Sequence, residues 1–412
     1  MDGKRIDELD GLRAIAVLLV VVWHFFGTPD GPQYWLWKVL HVGRFGVDLF
    51  FILSGYLITT MLLTNRNSDC YFSAFYGRRV LRIWPLYYLM GAVAFLGWQL
   101  NLSPLLFDTK SVPGWTYLFG FQNFGMAKAQ NVGAYWLAGT WSLAIEEQFY
   151  LLFPLLVRRV SRERLFPILL VPITICPLGR LIDSPFPDAY GWYVLPQFRA
   201  DALAIGALIA WWRLCREPSD LVTIRVQRWF KILLFCLPLL WVFGWKRWSV
   251  AFSHTLVAAF IGTALFLILE NRGSPKLKLL RSSAGAFFAK TSYAAYLTHH
   301  VIAYLTFVIA DQPRTVTTLS GSALLSRRFS RLSGSVPSAI AILRSRFCDT
   351  VTTNSSSAPR RVRLFRLNRC PQRGRPALAG RRVVGLTAGR RPAGPGQEAS
   401  QAGSIYLHGA PV

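Results

Sequence analysis

Nine apolar runs divide the first 310 residues, at about 12–27, 46–63, 84–100, 141–157, 165–178, 197–212, 230–245, 250–269 and 293–310. A helix needs about 20 apolar residues to cross a bilayer core of about 30 Å, so each run is a span or nearly one. In hydrocarbon every backbone N–H and C=O must be bonded internally, and for runs of this length only a helix does that. The expected fold is therefore all-α, a polytopic membrane bundle of about nine to ten transmembrane helices. With 53% hydrophobic and only 16% charged residues, the chain is too apolar for an ordinary soluble enzyme. Residues 112–126 (VPGWTYLFGFQNFGM) are apolar too. Counted as a span they would invert every later loop, so they are read as an outer or re-entrant segment.

Loop charge orients the bundle. With the N-terminus in the cytoplasm, the inward segments 1–13, 64–84, 158–164, 213–231 and 270–292 carry 21 Lys+Arg, against 7 in the outward segments. That is the positive-inside pattern of an inner, cytoplasmic membrane protein. The net charge of +26 does not point to nucleic acid. More than half of it lies in residues 311–412, where 17 arginines occur without one lysine, tryptophan or methionine. The chain is accordingly divided into a membrane domain, 1–310, and an Arg-rich tail of low order, 311–412. The abrupt change after Asp311-Gln312-Pro313 suggests a frame shift or truncation near residue 312.

Ionisable residues inside apolar runs are costly and mark functional sites by default. The first run, DGLRAIAVLLVVVWH, places Arg13 and His24 at opposite ends of ten apolar residues, roughly 16 Å apart along a helix. The orientation puts His24 at the outer level. Arg44 and Asp48, Glu146 and Glu147, and Arg199 and Asp201 enter from the same side in three other runs. Arg44 with Asp48, and Arg199 with Asp201, fit structural ion pairs as well as substrate contacts. The neighbouring glutamates do not pair so simply. At the inner level Arg79 and Arg82 stand one helical turn apart, near Arg13. Two guanidinium forks on one face suit phosphate, although any cytoplasmic loop supplies such anchors. Ser54 and Gly55 fit close helix packing. His299 and His300 fit either a cavity or an interhelical hydrogen bond, and His254 has no evident role. The six cysteines lack metal-ligand spacing, and no metal is expected.

Together these stretches resemble the acyltransferase-3 family of bacterial membrane O-acyltransferases. Arg13 and His24 match its R-x10-H, and Arg79 and Arg82 its R-x-x-R within RRVLRIWPLYY. FFILSGYLIT, TWSLAIEEQFYLLFP, FRADALAIGALI and SYAAYLTHH are similar to further signature stretches. The resemblance runs from residue 7 to about 310, without the family's final helix or a fused extracytoplasmic domain. It implies acetyl-CoA, or another short acyl-CoA, as co-substrate rather than bound cofactor. It also implies a carbohydrate, glycosylated or macrolide-type acceptor, as in polysaccharide modification. On that reading Arg13, Arg79 and Arg82 hold the CoA phosphates. His24 serves as general base or acyl carrier, oriented by Glu146 or Glu147, and Arg199 or Arg44 steadies the oxyanion. Asp48 and Asp201 complete the acceptor-side candidates. The competing class is a multi-span transporter that uses the same polar layer as a substrate or proton path.

Overall fold

The computed structural model describes residues 6–26, 40–101, 111–183, 191–243 and 247–310. The Arg-rich tail and the frame-shift expectation attached to it lie outside the described residues.

Among the described residues the fold is helical without a strand, as the apolar runs require. In chain order the α-helices are α1 (Asp7–Phe26), α2 (Gly46–Thr64), α3 (Tyr71–Gln99), α4 (Gly114–Leu118), α5 (Gln122–Ala129) and α6 (Thr140–Arg159). They continue as α7 (Arg162–Asp183), α8 (Gly191–Val194), α9 (Ala200–Cys215), α10 (Asp220–Phe243), α11 (Arg247–Glu270) and α12 (Ser283–Ala310). Each of the nine apolar runs falls on one of the long helices. Four described segments are long and apolar enough to cross a membrane: His41–Thr64, Tyr71–Gln99, Arg162–Ile182 and Ala251–Glu270.

The apolar stretch at 112–126 folds as the two short helices α4 and α5. The eight residues of α5 extend only about 12 Å, too little to cross. Gly120 links the pair at φ +73°, a left-handed conformation that favours glycine. Gln148 on α6 donates to Gly120 O (2.9 Å) and to Asn123 Oδ1 (3.0 Å), tying the segment to the bundle.

Large apolar side chains point outward on several long helices, among them Leu89 and Phe95 on α3, Ile175 on α7 and Phe235 on α10. In water such surfaces would drive association, whereas lipid accepts them. Lipid offers no hydrophobic gain for helix contact, so close packing has to come from small residues. Gly55 of α2 and Gly206 of α9 provide it reciprocally. A Cβ on Gly55 would lie 2.0 Å from Leu203 O, and one on Gly206 would lie 2.0 Å from Ile52 O. Gly46 and Gly43 seat the start of α2 on α1 in the same way, against Ala16 O and Leu19 O. Gly206→Val is therefore expected to force α2 and α9 apart and to abolish a cooperative thermal transition in detergent. Gly91→Ala is the control, since a Cβ there meets nothing within 4 Å. A Gly206→Val protein melting with the parent would disprove this account of the crossing.

Candidate active site

Arg79 and Arg82 on α3 and Arg13 on α1 open into one cavity. The i,i+3 spacing of Arg79 and Arg82 keeps both guanidinium groups on a single face of α3. Arg13 is paired with Asp10 one turn earlier, at 3.2 Å. Arg79 lies over the rings of Tyr150 (5.2 Å) and Phe75 (5.8 Å), contacts that hold its planar group in place. The opposite wall comes from α6, where Ser142, Glu146 and Tyr150 follow one another at intervals of four and share a face. Glu146 accepts from Ser54 Oγ of α2 (2.8 Å) and from the Tyr150 hydroxyl (2.7 Å). Three guanidinium groups against Glu146 and the Asp10 partner of Arg13 still leave an excess of positive charge, suited to a polyanion.

His24 stands at the other end of α1. Its Nδ1 donates to Val20 O (2.8 Å), a bond from a side chain to the preceding turn. Its ring is flanked by His299 (4.7 Å between centroids) and His300 (4.5 Å), both on α12. One nitrogen from each of the three rings lies within 4.8 Å of the others. These imidazoles are the group, among the described residues, that could hold a metal ion, an arrangement that nothing in the sequence predicts. Tyr296 joins the two ends. Its hydroxyl bonds Ser142 Oγ (2.5 Å) on the cavity wall, and its carbonyl accepts from His299 Nδ1 (2.5 Å).

A second buried polar cluster lies between α2, α7, α9 and α11. Arg199 pairs with Asp48 (3.2 Å) and also reaches His254 Nδ1. Asp201 pairs with Arg180 (2.9 Å) and accepts from Thr255 Oγ1 (2.6 Å). All four charged groups are at most 1% exposed. The rings of Phe51, Trp141 and Tyr193 surround the Arg199 guanidinium at 5.4–5.8 Å. The pairing differs from the sequence expectation. Arg199 and Asp201, two residues apart, each bind a partner on another helix, because a helix turns positions i and i+2 to different sides. Arg44 does not bridge to Asp48 but contacts His41 Nε2 (2.9 Å) and covers the Phe45 ring (4.7 Å).

The structure thus gathers Arg13, Arg79, Arg82 and Glu146 in one cavity and places His24 beside other histidines. The carboxylate expected next to His24 is not among its described contacts. Glu146 instead faces the arginines, and Glu147, turned about 100° from it, meets the Trp84 side chain. Periodicity could have found Ser142 and Tyr150, which lie four residues either side of Glu146. His254 stands out as an ionisable residue in an apolar run, but its partners, like those of Arg180, lie on helices distant in sequence and cannot be read locally.

The chain matches the family model described as an acyltransferase domain over residues 6–326. It is 28% identical over 336 residues to the peptidoglycan O-acetyltransferase OatA of Listeria monocytogenes, covering 75% of this chain and 51% of that protein. The putative peptidoglycan O-acetyltransferase YrhL of Bacillus subtilis is 28% identical over 337 residues, covering 75% of this chain and 50% of its own. For the O-acetyltransferase OatA of Staphylococcus aureus the identity is 27% over 337 residues, with 73% and 52% covered. The chain spans about half the length of these curated relatives. No solved structure matches it.

Proposed function

The chain belongs to the acyltransferase-domain family, and on that premise we propose that it is a membrane O-acyltransferase moving an acetyl or other short acyl group from acyl-CoA to a carbohydrate hydroxyl. The cavity shared by Arg13, Arg79, Arg82 and Glu146 carries the reading, because its three guanidinium groups suit a phosphate-bearing donor. In our reading the chain crosses the cytoplasmic membrane nine times with its N-terminus inside, so the arginines face the pool of acyl-CoA. The donor's arm runs past Glu146, Ser54 and Tyr150 toward Tyr296 and the histidines. There the acceptor oxygen attacks the thioester carbonyl while His24 Nε2 takes the hydroxyl proton. The C–S bond breaks as the new C–O bond is completed, and the proton passes to the thiolate, giving CoA and an acyl ester. Two of the relatives are named for peptidoglycan, which supports a carbohydrate acceptor.

Transfer of label from [14C]acetyl-CoA to membrane glycan by vesicles containing the full chain tests the activity. Thermal stabilisation by CoA in detergent tests the donor, and its absence would favour the transporter class instead. Arg79→Ala is expected to weaken CoA binding by about 10- to 100-fold, the worth of a charge-assisted fork. Arg79→Lys should recover little of it, because an ammonium is a point charge. A dissociation constant equal to the parent's in Arg79→Ala would make the residue a membrane anchor only.

A further inference from the structure

We propose that His299 is an acceptor-binding residue, and that the site takes an alcohol carrying a second hydrogen-bond donor beside the hydroxyl that reacts. This rests on the acyl-transfer reading above and narrows its acceptor class.

Two backbone carbonyls decide the protonation of the rings. A carbonyl oxygen only accepts, so the bonds from His24 Nδ1 to Val20 O and from His299 Nδ1 to Tyr296 O place the proton of each neutral imidazole on Nδ1. Each Nε2 then carries a lone pair. His299 Nε2 is buried and has no hydrogen-bond partner among the described residues. A buried acceptor left unsatisfied is destabilising, and native structures keep few of them. His24 and His299 lie 4.7 Å apart between ring centroids, with one nitrogen of each ring within 4.8 Å of the other. Donors on adjacent carbons of a polyol or amino sugar are close enough together to serve both rings. The reacting hydroxyl donates to His24, and its neighbour donates to His299. Gly139, at the start of α6, borders the pair of rings: a Cβ there would stand in van der Waals contact, 3.5 Å from His299 Cε1 and 3.4 Å from His300 Cδ2. An acceptor lacking the second donor leaves His299 unsatisfied in the bound state, and the site discriminates against it for that reason.

The full chain in nanodiscs, supplied with [14C]acetyl-CoA, is assayed on hexane-1,2-diol and hexan-1-ol, which differ by one donor. The parent is expected to favour the diol by about tenfold, the worth of one hydrogen bond to a buried group. In His299→Ala and His299→Asn the ratio should fall to about one while the KM for acetyl-CoA stays within about twofold. The asparagine variant guards against misfolding, because it retains bulk and a donor toward Tyr296 O. Equal rates on the two alcohols with the parent, no transfer to the diol, or a preference that survives in His299→Asn would overturn the proposal. So would one equivalent of a divalent metal bound to the parent and lost in His299→Asn, since the three nitrogens would then be ligands. CoA stabilisation of the parent is measured without either alcohol, so failure of the acyl-transfer reading is distinguishable from failure of this one.

Discussion

His24→Ala is expected to lower acyl transfer by about 100-fold or more while leaving thermal stabilisation by CoA intact. The two readouts separate because the site has two ends. Arg13 and His24 share α1 but stand roughly 16 Å apart along it, and the donor's charged groups engage only the arginine end. Removing the imidazole deletes the group that takes the hydroxyl proton and leaves the phosphate-binding face untouched. His24→Gln should be equally inactive, since an amide of similar reach does not take up a proton near neutral pH. His24 is half-buried at the end of its helix, where truncation leaves little cavity, so the folded yield should hold. Retention of more than about a tenth of the parent rate in either variant would remove His24 from proton transfer.

Arg199→Met is expected to destabilise the protein by about 3–5 kcal/mol, the usual result of stripping one partner from a buried ion pair. Asp48 would lose its paired guanidinium and keep the His254 contact at 3.3 Å. The double variant Asp48→Leu with Arg199→Met removes both charges and should regain much of the lost stability, since apolar replacements of buried pairs are often neutral. Detergent thermal melts of the two variants measure this directly. The same pair of proteins also tests chemistry. If Arg199 only holds α9 against α2, the double variant recovers acyl transfer along with its melting temperature. A refolded double variant that remains inactive would return Arg199 to the acceptor site as an oxyanion donor.

The helical class and the position of every long helix were legible because both depend on local quantities. Apolar runs of this length fold as helices, and all nine reappear on long helices, four of whose segments are long and apolar enough to cross a membrane. Breaks were legible for the same reason. Gly120 splits 112–126 into α4 and α5, and the loop-charge alternation had already excluded a span there. The arginine cavity was partly legible, since Arg79 and Arg82 share a face by spacing alone. That Arg13 and Glu146 join them was not, because spacing on one helix says nothing about which neighbour that face meets.

By itself, then, the sequence determined an all-helical bundle, one glycine contact point, Gly55, as a candidate, and a family signature anchored on Arg13, His24, Arg79 and Arg82. The tertiary structure decided how the charges are partnered. Asp48 goes to Arg199 and His254, Asp201 to Arg180, Glu146 to Ser54 and Tyr150, and His24 to His299 and His300. The physical reason is that helical periodicity fixes the angle between side chains on one helix but leaves the helix free to rotate about its axis. Close packing through residues such as Gly55 and Gly206 removes that freedom, and with it the ambiguity over which polar groups meet.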